Sequence, residues 1–193
     1  MIGMTPTQKT MIFAGLAAAM AATRMHHFGP LPDASWAIFF AAGFYLKGWL
    51  RGVFPVLMAQ AMLLDWIATQ HLGVSAYCIT PAYWAIWPGY GVLALGGYWL
   101  RTHYQHRGRD FARLVASLGG AVSICYWITN GAFYWFGGRI ASPNFAEYLD
   151  AFVKYLPHFM QVSFAYAAFF TVLHLVFSHL AQLRAGTRPG AER

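Results

Sequence analysis

The chain has 193 residues, of which 59% are hydrophobic, 18% aromatic and only 10% charged, with a formal net charge of +7 and two cysteines. A soluble domain carries roughly 25% charged residues, so this composition excludes a water-soluble globular protein and points to a membrane chain. The positive balance does not call for nucleic acid, because the basic residues fall in the joints between apolar runs and form no soluble patch.

An apolar stretch of about 20 residues spans a bilayer. Six such stretches predict an all-α integral membrane protein, a single domain over 1–193 with six transmembrane helices. The first, 6–25, has Thr5 as N-cap and Pro6 at the first helical position, where a missing N–H donor is harmless. It is too long, and too weakly basic at its start, for a secretory signal. Within it IFAGLAAAMAA sets Ala14, Ala18 and Ala22 at i, i+4 and i+8. Small residues at that spacing let helices approach closely, either inside the bundle or at a partner. The second stretch, 34–50, follows Pro30, Pro32 and an expected cap at Asp33. The third, 53–72, contains Asp65, the single acid inside a predicted span. An uncharged joint, VSAYCITPAYW, then carries Cys78 and leads into the fourth stretch, 83–100. The fifth, 113–136, and the sixth, 152–180, are long enough to tilt or protrude.

Orientation follows from the basic residues. Of thirteen lysines and arginines, ten lie on one side: Lys9, Lys47, Arg51, Arg101, Arg107, Arg109, Arg113, Arg184, Arg188 and Arg193. Both termini are therefore expected in the cytoplasm, with Cys78 facing outward from the inner (cytoplasmic) membrane. Arg24, Arg139 and Lys154 fall on the outward side.

Polar groups at membrane depth are costly and mark sites or partners. The outward ends of the spans bring Asp65 together with His26, His27, His71, Tyr83, Trp84, Asn130, Tyr134 and His158. His174 and His179 lie by the basic rim, where they meet headgroups or water. An outward cavity capped by the cysteine joint is the expectation. Thiolate and imidazole suit late first-row transition ions, although a lone cysteine is more often a small buried hydrophobe. Without CxxC, HExxH or paired cysteines, a structural zinc site is not expected. Cys125 lies ~16 Å below the outward end of its span, whereas bridged Cα atoms lie within ~7 Å, so Cys78 is expected to be a free thiol. The absence of GxxxxGK[ST] leaves no ATP site of that kind in this chain.

Three segments together carry a family resemblance: TRMHHFGPLPDASWAIFFAAGFYL (23–46), LLDW (63–66) and AYCITPAYWAIWPGYG (76–91). Their order resembles BtuM-type cobalamin transporters, which are related to the substrate-binding S-components of energy-coupling factor (ECF) transporters. The resemblance implies an S-component-like bundle that takes up vitamin B12. It implies that Cys78 is the axial ligand of the corrinoid cobalt in place of the vitamin's own base. Asp65, Tyr83 and His26, with His27 able to exchange roles with His26, would contact the corrin amides or the nucleotide tail. Trp84 joins this substrate-binding set. The same resemblance makes the alanine pattern the contact for an ECF coupling module, a transmembrane subunit plus ATPases.

A corrin is broad and flat, with an apolar body and an amide rim, so it needs aromatic walls and a few polar contacts. Tyr77, Tyr83, Trp84, Trp87, Trp127, Tyr134 and Trp135 can supply those walls or form an interfacial aromatic belt. Thiolate ligation alters the metal's electronics and leads to an expected side activity, removal of cyanide from cyanocobalamin with a reductant, in which Cys78 acts as the catalytic group. Other classes stay open on the residues alone: an S-component for another vitamin, a membrane haem or electron-transfer protein using the outward histidines, or uptake of bare nickel or cobalt ions.

Overall fold

The structure is a computed structural model that describes residues 4–25, 32–76, 79–105 and 107–186, without the side chains at 178 and 180–186. Six α-helices make up the described residues: α1 (Pro6–Arg24), α2 (Ser35–Tyr45), α3 (Leu50–His71), α4 (Ile86–His103), α5 (Arg109–Phe136) and α6 (Phe145–Gly186). No strand occurs among them. Single 3-10 turns at Lys47–Trp49 and Pro81–Ala85 lead into α3 and α4.

The helices alternate in direction. At one end Arg24, which closes α1, bonds Ser35 at the start of α2 and Asp65 near the end of α3. At the other end Lys9 of α1 lies over Trp49, and His174 of α6 packs on Tyr45, the last residue of α2. The start of α1 and the C-terminal half of α6 thus share one end of the bundle, predicted to be the cytoplasmic one.

Three helical stretches are long and apolar enough to cross a membrane, Lys47–His71, Arg109–Phe136 and Phe145–Phe177. The expected second span is shorter than 34–50. After Tyr45 the chain bends at Leu46 and makes one 3-10 turn around Gly48, a residue that disfavours helix. The resulting α2 has 11 residues and is only about 16 Å long. The other two long helices, α1 with its polar first turn and α4 with its many glycines, tyrosines and tryptophans, are not among those three.

Side-chain caps set the helix starts. Thr5 accepts from the Gln8 backbone N–H while the Gln8 side chain accepts from Thr5, a closed capping box. The N-cap of α2 is Ala34 rather than the expected Asp33, which stands one residue earlier and accepts from the Ser35 N–H at 2.9 Å. Asp110 gathers the backbone N–H groups of Gln105 and Arg107 and an Arg113 guanidinium N–H, which starts α5 earlier than 113. Asn144 accepts from the Glu147 N–H and starts α6 well before 152.

Short α2 is the axis of the molecule. Ala37, Ile38, Phe39, Phe40, Ala41 and Ala42 are all buried, so the helix is apolar on every side and enclosed. Its contact with α4 is backbone on backbone: a Cβ on Gly43 would strike the Ala94 carbonyl, and one on Gly97 would strike the Phe40 carbonyl. Small residues permit this approach, as in other membrane helix pairs. Across the next interface, Ser117 of α5 donates to the Gly96 carbonyl at 2.8 Å. By contrast α6 buries only 11% of its most apolar window and exposes Val153, Phe169, Val172, Leu175 and Phe177.

Candidate functional site

At the end predicted to face outward, four charged or hydroxyl side chains converge on one guanidinium. Arg24 is the last residue of α1 and is 4% exposed. Its Nε and Nη2 each donate at 2.7 Å to the two oxygens of Asp65, a bidentate pair between α1 and α3. Its Nη1 lies 3.0 Å from Asp33 Oδ2, 2.8 Å from Ser35 Oγ and 3.1 Å from the Tyr90 hydroxyl, so two N–H bonds are shared among three acceptors. Tyr83, on the 3-10 turn before α4, donates its O–H to Asp65 Oδ2 at 2.6 Å. Ser35 donates its own O–H to Asp33 Oδ1 at 2.6 Å. Alongside, Thr23 accepts from the Ala34 N–H and ties the start of α2 to α1.

Charge logic explains the arrangement. A buried guanidinium or carboxylate survives only when paired and hydrogen-bonded on its remaining groups. Arg24 has all three nitrogens engaged, and Asp65 receives donors from two sides. The network therefore welds α1, α2, α3 and α4 at one level. It also sets the hydrogen-bond polarity of Tyr83: an ionised carboxylate has no proton to give, so the tyrosine must be the donor.

Of the expected site residues, the structure brings Asp65 and Tyr83 into direct contact. Cys78, His26 and His27 lie outside the described residues, as does Tyr77. Trp84 is exposed on the turn Pro81–Ala85. His71 closes α3 against Trp66, and His158 packs on Phe159; neither contacts the Arg24 network. Trp87 packs edge-on to Phe54, and its Nε1, like Thr80 Oγ1, is buried with no hydrogen-bond partner among the described residues. Trp127, Tyr134 and Trp135 are engaged in the α5–α6 contact, with Tyr148 at ring separations of 5.1, 5.3 and 6.5 Å. Cys125 is a free thiol buried in the core, where a Cβ on Gly89 would touch its sulfur. No cluster of three or more metal-binding side chains occurs among the described residues. Ala14, Ala18 and Ala22 are exposed, with Leu16 and Met20 on the buried side of α1; the small-residue stripe faces away from the bundle.

Arg24, Ser35, Asp33 and Tyr90 are the members of the site that sequence reasoning passed over. The signal was present: one base near the end of the first span and one acid two turns inside the third, at matching depth in an otherwise apolar chain, call for each other.

Fold and site define a helical membrane protein with a buried polar network at one end. No protein-family model matches the chain, and no curated protein matches it at a significant level.

Proposed function

We propose that this protein takes up cobalamin across the cytoplasmic membrane, binding the corrinoid at its outward end with the Cys78 thiolate on cobalt. The observation that carries the reading is the Asp65–Tyr83 bond. These two residues flank in sequence the connection that holds Cys78, and their contact ties the end of α3 to the turn before α4. Preorganisation of this kind lowers the cost of binding, because the groups need not be ordered when the ligand arrives. Arg24 holds the Asp65 carboxylate in place from behind, so Asp65 acts on a ligand through Tyr83 as well as directly. His26, His27 and Trp84 complete the substrate-binding set, and with a reductant the thiolate complex releases cyanide from cyanocobalamin.

Energy for uptake comes from an ECF coupling module docked on the Ala14, Ala18 and Ala22 face. The exposure of that stripe supports this, since intramolecular packing does not occupy it.

The test is a visible-spectrum titration of the purified protein with cyanocobalamin and hydroxocobalamin. Wild type is expected to give a spectrum with the vitamin's own base displaced, and Cys78→Ser to lose it and bind more weakly. Equal spectra and equal affinities in the two proteins would refute cobalt ligation.

A further inference from the structure

At the opposite end of the bundle a cleft of about 90 Å³ opens between α2, α4, α5 and α6. Its walls are hydrocarbon, formed by Phe40, Ala41, Leu100, Leu114, Ala167 and Phe170. One end is polar, where Tyr45, Tyr104 and His174 meet. Beside that end the Arg101 guanidinium lies 5.4 Å from the ring centre of Phe44, which itself lines the cleft. The Lys47 ammonium lies 4.7 Å above Tyr98, one turn before Arg101 on α4. Arg24 and Arg113 are paired with carboxylates, but Arg101 and Lys47 have no carboxylate partner among the described residues.

The geometry points to a binding site for one anionic phospholipid, with part of an acyl chain in the cleft and the phosphate between Arg101 and Lys47. In a bilayer the chain alone gives little selectivity, because lipid tails are as apolar as the cleft walls. Selection must come from the headgroup, and basic pockets between membrane helices on the cytoplasmic side are suited to anionic headgroups. The aromatic rings hold both cations in place from below, leaving their outer faces for phosphate oxygens.

Native mass spectrometry of the purified protein, with phosphatidylglycerol and phosphatidylcholine of identical chains as probes, tests the site without any corrinoid. Phosphatidylglycerol is expected to be retained preferentially. Each of Arg101→Gln and Lys47→Gln is expected to weaken that retention about fivefold. Ala167→Phe, which fills the cleft from α6, is expected to weaken it while leaving both cations in place. Equal retention of the two lipids, or unchanged retention in Arg101→Gln, overturns the proposal. So does unchanged retention in Ala167→Phe, or binding of soluble glycerol phosphate as tight as that of the lipid, either of which marks a headgroup site without a chain. Melting curves of the three variants separate lost binding from lost folding: a variant that melts with wild type and retains less lipid supports the site, and one that regains retention when measured below its own melting point overturns it.

Discussion

Breaking the Arg24–Asp65 pair gives the sharpest test of what the buried network does. Arg24→Leu leaves the Asp65 carboxylate, whose side chain is 12% exposed, with Tyr83 donating to it but no guanidinium. Asp65→Leu leaves the guanidinium, whose side chain is 5% exposed, with only Asp33 and two hydroxyls. Removing one member of a buried pair costs about 3–5 kcal/mol, because the remaining charge loses its bidentate partner. For a chain of this length 1 kcal/mol moves the melting temperature by roughly 2–4 °C. Each single variant is therefore expected to melt about 10 °C below wild type. The double variant removes both charges and is expected to lie above either single variant, with a coupling of about 2 kcal/mol or more. Tryptophan fluorescence during heating in detergent reads all four proteins. Single variants within about 2 °C of wild type, or a double variant that is merely the sum of the singles, would refute the claim that the two charges sustain each other.

Three further outcomes follow from the geometry. Gly97→Ala puts a methyl group into the Phe40 carbonyl and is expected to prevent accumulation of folded protein, whereas Gly15→Ala, with open space around it, is expected to melt with wild type; size-exclusion profiles compare them. Tyr83→Phe removes a donor to an ionised carboxylate, worth about 1.5–3 kcal/mol, and is expected to lower both melting temperature and corrinoid affinity, measured by heating and by spectral titration. Ala18→Trp, on the exposed face of α1, is expected to leave melting and ligand binding unchanged while abolishing copurification with a coupling module.

Much of the helical layout could be read from the chain, because apolar runs and end signals are local. Thr5 caps and Pro6 opens α1 as their residue types require, and Asp33 braces the first turn of α2 from one residue before its cap. Where the reading fell short, the deciding groups were polar residues outside the apolar runs or a contact with another helix. The break after Tyr45 is stabilised by Lys47 reaching Tyr98 on another helix, and the early starts of α5 and α6 depend on Asp110 and Asn144, polar residues outside the apolar runs. The α5–α6 aromatics could be named but not faced, since periodicity alone does not say whether a ring meets a cavity, the bilayer or another helix. Asp65 stood out because it is an acid in a span, and Tyr83 because of the residues around it. Arg24 reads from sequence as a marker of orientation, whereas the structure makes it the partner that gives Asp65 its geometry.

The paired close approaches at Gly43 and Gly97 restrict how this molecule can change shape. Two helices whose main chains touch cannot slide or rotate past each other without collision, so α2 and α4 travel as a single rigid beam. Any rearrangement that opens a path through the bundle must come from the elements hung around that beam. Such elements are the sixth helix, which leaves most of its apolar window exposed, and the first, tied to α2 through Arg24 and Thr23 and packed on it by Leu16 and Met20.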